Sequence, residues 1–264
     1  MRFEGKKAIV TGGSRGIGRA VAARLASEGA EVLVTGRSSE ALEEAVRQSR
    51  SDGHAMTSLA ADMADADAID RIVETAGERL GRIDILINNA GTDDDAPFLE
   101  ISKDNWHRVL AVNLTGPFLL AQAAARAMVS SGGGAIVNIA SVDGHAADGP
   151  YASYCVSKAG LIALTRNIAV ELARYSVRCN SVSPGYTETE MVLAAFEGLR
   201  GGGAGFPRAP QNRMLRPDEI AAACLFLVSD EASTMTSVPV MPDASSLTRK
   251  RHAAAISSGL SMRF

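Results

Sequence analysis

The sequence predicts an α/β fold, built as a single doubly wound domain with a mostly parallel sheet and helices on both faces. Three observations support this fold class. The chain has 264 residues, which suits one domain of this kind. Short β-branched runs alternate with longer, alanine-rich amphipathic stretches, and a glycine-rich turn directly follows the first of these runs. Such alternation is typical of right-handed βαβ units.

The alternating segments can be placed one by one. Strands are predicted at 7–11, 31–35, 55–60, 83–87, 135–139 and 177–182, and helices near 17–28, 39–50, 65–80, 103–129 and 152–174. Parallel strands end at the same edge of their sheet, and open α/β sheets bind ligands beyond that edge. We therefore look for functional residues directly after each predicted strand.

Two segments fall outside this alternation. Residues 197–210 are rich in glycine and are predicted to form a loop over the site. The domain is predicted to span residues 1–247, followed by a basic C-terminal tail at 248–264. This tail is interpreted as a frayed terminus in preference to a binding segment for an anionic partner.

Composition excludes several function classes. The net charge of −3 gives no general attraction to nucleic acid or to an anionic membrane. No apolar run approaches the ~20 residues that a bilayer requires, and the first residues do not resemble a signal peptide. Cys155, Cys179 and Cys224 are widely spaced and form no CxxC pair, which favours buried thiols in a reducing compartment. The four histidines show no ligand spacing, so we expect a protein without a metal. The expected location, a reducing compartment without a signal peptide or membrane span to direct the protein elsewhere, is the cytoplasm.

The turn after the first predicted strand is a candidate phosphate cradle. It comprises Gly12, Ser14, Arg15, Gly16, Ile17 and Gly18. Glycines permit the unusual φ values of a tight turn and let a pyrophosphate approach the amides of a helix N-terminus. The spacing differs from the common G-x-G-x-x-G pattern, and glycines also simply end strands. The position between a strand and a helix favours a Rossmann-type dinucleotide site.

The end of the second predicted strand bears on the choice of cofactor. An acid at this place binds the adenosine ribose of NAD, whereas an arginine accommodates the 2′-phosphate of NADP. The sequence has Arg37 and Ser38 here and no acid, and Arg15 in the glycine turn offers a second cation. We therefore expect NADP (NADPH), with NAD less favoured. The alternative interpretation is two solvated surface arginines.

Three further motifs follow in order. Asn88 to Gly91 close the fourth predicted strand, Ser141 follows the fifth, and Tyr154 and Lys158 lie on the next helix. Together with the glycine turn, they make residues from about 6 to about 232 resemble the short-chain dehydrogenase/reductase family. The resemblance implies an enzyme that interconverts a carbonyl and an alcohol with a nicotinamide cofactor.

The tyrosine and the lysine form the expected acid–base pair. They are four residues apart, so they share one face of a helix. An ammonium beside a phenol favours the phenolate and should lower the pKa of Tyr154 toward the working range. Ser141 is expected to hold the substrate oxygen near the phenol. Tyr151 is a weaker candidate, because Cys155 and not a lysine stands four residues after it. The alternative is a chance Y-x-x-x-K pattern.

The resemblance assigns roles to further residues. It makes Asn113 the support of a water that links Lys158 to solvent, and Asp62 a contact of the adenine. It places along the cofactor groove Met63, Asn89, Ala90, Gly91, Pro184, Gly185, Thr187 and Thr189, together with Tyr154 and Lys158. Two alternative interpretations stay open. One is that Asn88 and Asn89 chiefly stabilise the sheet, and the other is that Thr189 is a helix N-cap.

Substrate contacts are sought after Ser141 and in the later loop. The candidates are Ser141, Asp143, His145, Asp148, Tyr151, Tyr186 and Phe196. Asp143 and His145 suggest a small, polar and perhaps hydroxylated substrate, although solvated loop residues are an equal alternative. Within the enzyme class, reduction of a 3-oxoacyl thioester and NAD-dependent oxidation of a polyol, sugar or ring alcohol both stay open. A cofactor-sensing regulator is less favoured, because Tyr154 and Lys158 are both retained.

The sequence departs from the family near its end. Residues 236–245 lack the usual glycines and contain Pro239 and Pro242. Proline removes a donor from a strand ladder, so the final strand is expected to be short. A homo-oligomer is predicted, with the usual tetramer in doubt and a dimer through the helices of Asn113 and Tyr154 less affected.

Overall fold

The computed structural model describes residues 1–93, 96–146, 150–193 and 213–242. Its strands form one seven-stranded parallel sheet in the order β3-β2-β1-β4-β5-β6-β7. They are β1 (Lys7–Thr11), β2 (Glu31–Gly36), β3 (Met56–Ala60), β4 (Ile85–Asn88), β5 (Gly134–Ile139), β6 (Val177–Val182) and β7 (Pro239–Val240). The helices are α1 (Gly16–Ser27), α2 (Ser39–Ser51), α3 (Ala66–Leu80), α4 (Lys103–Leu110), α5 (Gly116–Ser130), α6 (Ala152–Leu172) and α7 (Pro217–Val228). The predicted fold class is confirmed.

Helices cover both faces of the sheet because neighbouring strand residues point to opposite sides. In β1, Val10 packs into a core with α1 and α7, where it meets residues such as Leu25 and Leu225. Ile9 points the other way, into a core with α3 and α5 that includes Ile72 and Leu120. Strands buried on both faces read as continuous apolar runs, which explains the uninterrupted β-branched segments in the sequence.

The predicted helix at 103–129 is interrupted, which corrects the sequence-based expectation. A π-helical turn at Ala111–Thr115 separates α4 from α5. Pro117 lies in the first turn of α5 and has no amide hydrogen, so it cannot continue a regular ladder from the preceding turn. The interruption places Asn113 inside the π-helical turn.

The last described strand is short, as the two prolines predicted. β7 has two residues and pairs with β6 alone among the described strands. The amides of Ser181 and Ser183 donate to the carbonyls of Val238 and Val240. Pro239 therefore costs no ladder bond, because its missing donor lies on the edge side of the strand. The predicted tail at 248–264 lies outside the described residues.

The sheet order positions the functional site. From β1 the chain first builds outward through β2 and β3, and it then returns to add β4 on the opposite side. This reversal leaves a crevice beyond the carboxyl ends of β1 and β4. The glycine turn follows β1 and Asn89 follows β4, so both border the crevice. Among the described residues, no helix has both the length and the apolarity that crossing a membrane requires.

Candidate active site

A cleft of about 1070 Å³ occupies this crevice. The predicted cofactor residues that line it are Gly12, Ser14, Arg15, Gly16, Ile17, Arg37, Ser38, Asp62, Met63, Asn89, Ala90, Gly91, Pro184, Gly185, Thr187 and Thr189. The predicted catalytic and substrate residues that line it are Ser141, Asp143, Tyr151, Tyr154, Lys158 and Tyr186. The structure therefore gathers almost all of the predicted residues around one cavity.

The turn after β1 depends on its glycines. Gly12 and Gly16 have φ values of +63° and +54°, which residues other than glycine rarely adopt. A Cβ on Gly18 would lie 2.2 Å from the carbonyl oxygen of Gly12. Gly18 does not line the cleft and instead lets α1 pack closely against the turn. The first turn of α1 contains no acid, and its N-cap Arg15 makes no side-chain capping bond, so its amides suit an anionic ligand.

Asn89 fastens the glycine turn to β4. Its Nδ2 donates to the carbonyls of Thr11 at 2.9 Å and Gly12 at 3.2 Å. The hydroxyl of Thr11 accepts the amides of Asn89 and Ala90, each at 3.0 Å. Thr11 was missed in the sequence, although it stands directly before the first glycine. Asn88 serves the sheet instead, donating to Oδ1 of Asn138 at 2.9 Å.

The end of the cleft near β2 holds the predicted arginines in different settings. Arg37 lines the cleft directly after β2. Arg15 is held by an exposed ion pair, with its Nη1 2.6 Å from Oε2 of Glu190. Ser38 caps α2 by accepting the amide of Ala41. A phosphate at Arg15, the predicted second cation, must therefore compete with Glu190, a partner that was not predicted from the sequence.

Asp62 and the segment after β6 also border this groove. Oδ1 of Asp62 accepts the amide of Ala64 at 2.9 Å, which fixes an exposed turn at the end of β3. Thr187 is buried, and its hydroxyl donates to the carbonyl of Gly185 at 3.1 Å. The hydroxyl of Thr189 accepts the amide of Val192 at 3.4 Å. Thr189 thus begins a helical turn, as the alternative interpretation proposed, while it also borders the cleft.

Tyr154, Ser141 and Lys158 meet at the centre of the cleft. Tyr154 is half-buried, while Ser141 and Lys158 are buried. The Ser141 hydroxyl lies close enough to the phenol of Tyr154 to favour its charged form. Nζ of Lys158 lies 5.6 Å from the centre of the tyrosine ring and donates to the carbonyl of Ile139 at 2.8 Å.

The predicted lowering of the tyrosine pKa is wrong for the chain by itself. Burial raises the pKa of Tyr154 above its ordinary value. The nearby Ser141 hydroxyl opposes this increase, and the carboxylates of Asp143 and Asp93 add to it. Burial also lowers the pKa of Lys158 to about 8. The cause of the error is desolvation, which disfavours both charged forms and outweighs the attraction between them.

Asn113 is fully buried, and both of its amide atoms have partners. Its Oδ1 accepts the amide of Thr92 at 2.8 Å, and its Nδ2 donates to the carbonyl of Thr92 at 2.7 Å and to the hydroxyl of Ser157 at 3.0 Å. Asn113 does not line the cleft. It holds the chain after Gly91 against α6, close to Lys158.

Asp143 lies directly beside Ser141. Oγ of Ser141 donates to Oδ2 of Asp143 at 3.1 Å and accepts the amide of Asp143 at 3.1 Å. Asp93 and Arg108 also line this end of the cleft and were not identified in the sequence. The guanidinium of Arg108 binds the hydroxyl of Thr92 and the carbonyl of Asp93.

His145 is not brought to the cleft, which corrects its assignment as a substrate residue. Its Nε2 lies 3.0 Å from the hydroxyl of Ser183, and burial, aided by the charge of Arg166, lowers its pKa. Asp148, Phe196 and the predicted loop at 197–210 lie outside the described residues. Within the described ranges, no cluster of His, Cys, Asp or Glu could hold a metal ion.

The parallel sheet with a glycine turn at its switch point defines the class of protein, a Rossmann-type nucleotide-binding domain. A family model described as enoyl-(acyl carrier protein) reductase matches residues 12–244. The chain belongs to the short-chain dehydrogenase/reductase family and is an oxidoreductase. The predicted resemblance is confirmed, and the family binds a nicotinamide cofactor.

Relatives named for different activities match nearly the whole chain. A D-threitol dehydrogenase of Mycolicibacterium smegmatis is 38% identical over 92% of this chain and 93% of its own. A 3-oxoacyl-(acyl-carrier-protein) reductase of Thermotoga maritima is 37% identical over 89% and 95%. A crystal structure of a short-chain type dehydrogenase/reductase from Mycobacterium marinum has a TM-score of 0.86 and 38% identity, over 92% and 96%.

Proposed function

We propose that this protein is an NADP(H)-dependent oxidoreductase that interconverts a ketone and a secondary alcohol, with Tyr154 as the general acid and base. The observation that carries the proposal is that Tyr154, Ser141 and Lys158 line the same cleft, which begins at the glycine turn, with Nζ of Lys158 5.6 Å from the centre of the tyrosine ring. A phenol in this position can exchange a proton with a substrate oxygen, and the serine hydroxyl can hold that oxygen in place.

The residues of the cleft fit a nicotinamide dinucleotide. Gly16 and Ile17, at the start of α1, line the cleft, and Gly12 and Gly16 have positive φ values. This arrangement suits a pyrophosphate at the helix N-terminus. When bound, the cofactor supplies a hydride to the substrate carbon, or accepts one from it. In reduction, Tyr154 donates its proton to the carbonyl oxygen and becomes a phenolate; in oxidation it takes the proton back.

Lys158 and Asn113 support this proton transfer. The ammonium of Lys158 stabilises negative charge that develops on the nearby phenol, and its bond to the carbonyl of Ile139 fixes its position. Asn113 holds the backbone of Thr92 beside it. A water-linked relay from Lys158 to solvent through Asn113 is part of the proposal.

The preference for NADP rests on Arg37. It stands at the cleft directly after β2, where no acid occurs. A guanidinium suits a phosphate because of its planar fork of donors. Arg15 is the weaker candidate because it is paired with Glu190. The alternative function is NAD-dependent oxidation of a polyol, sugar or ring alcohol, which the name of the D-threitol dehydrogenase relative supports.

The assembly and the location are also proposals. Exposed apolar side chains on α5 and α6, namely Phe118, Val156 and Val170, support a homodimer through these helices. The three cysteines are free thiols, which supports a reducing compartment such as the cytoplasm. The proposed ligand of the cleft is a small molecule, because the cleft is concave and the helices and loops that line it surround it on several sides.

A tyrosine variant tests the proposed function. Tyr154→Phe should lower kcat with NADPH and a ketone by about 100-fold or more, because the phenol proton is lost while the ring stays. Activity is measured by the loss of NADPH absorbance on neutral hydroxyketones and on 3-oxoacyl thioesters, and cofactor affinity by calorimetry. The matched control is Tyr175→Phe, three residues beyond the C-terminal end of α6 and outside the lining of the cleft. Equal loss in both variants, or an unchanged kcat in Tyr154→Phe, would contradict the assignment.

A further inference from the structure

Three arginines line the cleft near the glycine turn and the end of β2, and they differ in what their side chains contact. Arg15, Arg19 and Arg37 all border the cavity. Nη1 of Arg15 lies 2.6 Å from Oε2 of Glu190. In the part of the chain that the structure describes, neither Arg19 nor Arg37 has a side-chain hydrogen bond or an ion pair. Arg19, which was not predicted from the sequence, is therefore as available to a ligand as Arg37 is.

Arg15 and Arg19 are only four residues apart at the start of α1, yet they serve opposite sides of the cleft. Arg15 contacts Glu190, which follows β6. Arg19 also borders a smaller groove between α1 and α2, together with Ala45 and Gln48 of α2. In the sheet, β2 and β6 lie on opposite sides of β1. Arg19 is thus on the side of β2 and α2, whereas Arg15 is drawn toward the segment after β6.

The two acidic side chains that line the cleft on the side of β2 are not paired with Arg19 or Arg37. Glu44 of α2 is ion-paired with Arg47 on the same helix. The carboxylate of Asp62, after β3, accepts a backbone amide at 2.9 Å. Two guanidinium groups without a carboxylate partner leave this part of the cleft positively charged, which favours an anionic ligand.

The start of α2 adds a hydroxyl donor to these two cations. Oγ of Ser38 accepts the amide of Ala41 at 3.2 Å, which uses one of its lone pairs. The hydroxyl also has one hydrogen, and no acceptor for it is found among the described residues. A phosphate has several acceptor oxygens, so it can take this hydrogen together with the forked donors of Arg19 and Arg37.

The contact that occupies Arg15 also positions the segment after β6. Thr189, the residue before Glu190, packs closely on the start of α1, since a Cβ on Gly16 would lie 3.2 Å from Cγ2 of Thr189. A phosphate that drew Arg15 away would break its ion pair and loosen this packing. Arg19 and Arg37 can bind a phosphate without breaking a contact.

We propose that Arg19 is the second cation that selects NADP, binding the 2′-phosphate together with Arg37, and that Arg15 does not take part in this selection. Arg15 instead holds the segment after β6 against the start of α1 through Glu190. The inference rests on the proposed function and deepens it, because it assigns the residues that recognise the phosphate of the cofactor.

Cofactor titration of Arg19 variants tests the proposal. NADPH and NADH differ only in the 2′-phosphate, so the ratio of their Kd values, measured by calorimetry, isolates the recognition of this group. Arg19→Gln should weaken NADPH binding about 10-fold and leave the Kd of NADH within about twofold, because only a charged hydrogen bond to the phosphate is lost. Arg19→Lys keeps the charge without the planar fork and should retain part of the preference.

Two further arginines serve as controls. Arg15→Gln removes the ion pair with Glu190 and should change the Kd of NADPH and of NADH by the same factor, so that their ratio stays at the wild-type value. Arg24 lies further along α1, is paired with Glu28 and does not line the cleft. Arg24→Gln should therefore change neither Kd.

Each outcome is decisive. A preference for NADPH that is unchanged in Arg19→Gln overturns the inference and leaves the proposed function standing, and so does a ratio that falls as far in Arg15→Gln. Equal or tighter binding of NADH by wild type overturns the NADP assignment and the inference together. Retained NADH binding shows that a variant is folded. If Arg19→Gln does not fold, a full wild-type ratio in Arg19→Lys overturns the inference.

Discussion

Lys158 illustrates how burial sets the properties of a single side chain in the cleft. Its amine is buried, and its pKa falls from 10.5 to about 8. Between these two values the unfolded chain binds more protons at this residue than the folded chain does. Below about pH 8 the folded protein therefore carries a charged lysine at a cost of about 3 kcal/mol, and this cost is relieved as the pH rises through 8 toward 10.5.

Removing this amine should stabilise the protein while it abolishes activity. Lys158→Met eliminates the cost of the buried charge but also the hydrogen bond to Ile139, so we expect a net gain of about 1–2 kcal/mol near neutral pH. The gain should shrink or reverse near pH 10, where the wild-type lysine is already neutral. Urea unfolding at both pH values measures it. A gain that is equal or larger near pH 10 would contradict the argument.

At the scale of residues, the sequence predicted which side chains gather at the cleft. It did not predict the burial and the contacts that surround each of them. Tyr154, Lys158 and Ser141 follow from their spacing, and the structure gathers them at one cleft. The pKa of Tyr154 was predicted in the wrong direction because pair spacing carries no information on desolvation. His145 was misassigned because packing turns its ring toward Ser183. Glu190 could not be paired with Arg15 from the sequence, since they are 175 positions apart.

The junction between the glycine turn and α1 depends on one missing side chain. A Cβ on Gly18 would lie 2.2 Å from the carbonyl oxygen of Gly12 and 2.4 Å from Nδ2 of Asn89. Gly18→Ala should therefore push the helix away from the turn, destabilise the fold by about 1–3 kcal/mol and weaken cofactor binding. Chemical denaturation and calorimetric titration measure the two effects.

Gly77 provides the matched control on another helix. It lies inside α3, and a Cβ there would meet no atom within 4 Å. Gly77→Ala should stabilise the protein by about 0.5–1 kcal/mol, since alanine favours the helix. If both alanine variants behave alike, close packing at Gly18 is not the reason for that glycine.

At the scale of elements, the sequence predicted the type and the order of the helices and strands better than it predicted where a helix is interrupted. The strands β1 and β6 have the predicted bounds, and the other predicted strands differ by one or two residues at their ends. The break at Ala111–Thr115 was missed because an apolar helical pattern continues across it. Helix α7 was not predicted, although Pro217 and the acids Asp218 and Glu219 form a recognisable helix start.

The whole molecule is expected to be a dimer through α5 and α6. Val170 is 77% exposed, and Phe118 and Val156 are also exposed on these helices. Phe118→Glu combined with Val170→Glu should place like charges in the interface and shift the protein to monomers, as measured by light scattering after gel filtration. Phe226→Glu, on α7, should leave the dimer intact. An unchanged mass in the double variant would contradict an interface on these helices.

The fold of the whole molecule was predictable because it follows from alternation, which is a local pattern repeated along the chain. Assembly and substrate were not, since they depend on surfaces and distances that the pattern does not contain. The distance of 2.8 Å between Nζ of Lys158 and the carbonyl of Ile139 is such a distance. It is visible only after β5 and α6 have been brought together.

The most direct test of the account is a calorimetric titration of NADPH and NADH into the wild-type protein and into Arg37→Ala. If the cleft is a nicotinamide site with Arg37 at the 2′-phosphate, wild type should bind NADPH about 10-fold or more tightly than NADH. Arg37→Ala should lose that preference and keep its affinity for NADH. Equal or tighter binding of NADH by wild type would contradict the NADP assignment, and binding of neither would contradict the assignment of the cleft itself.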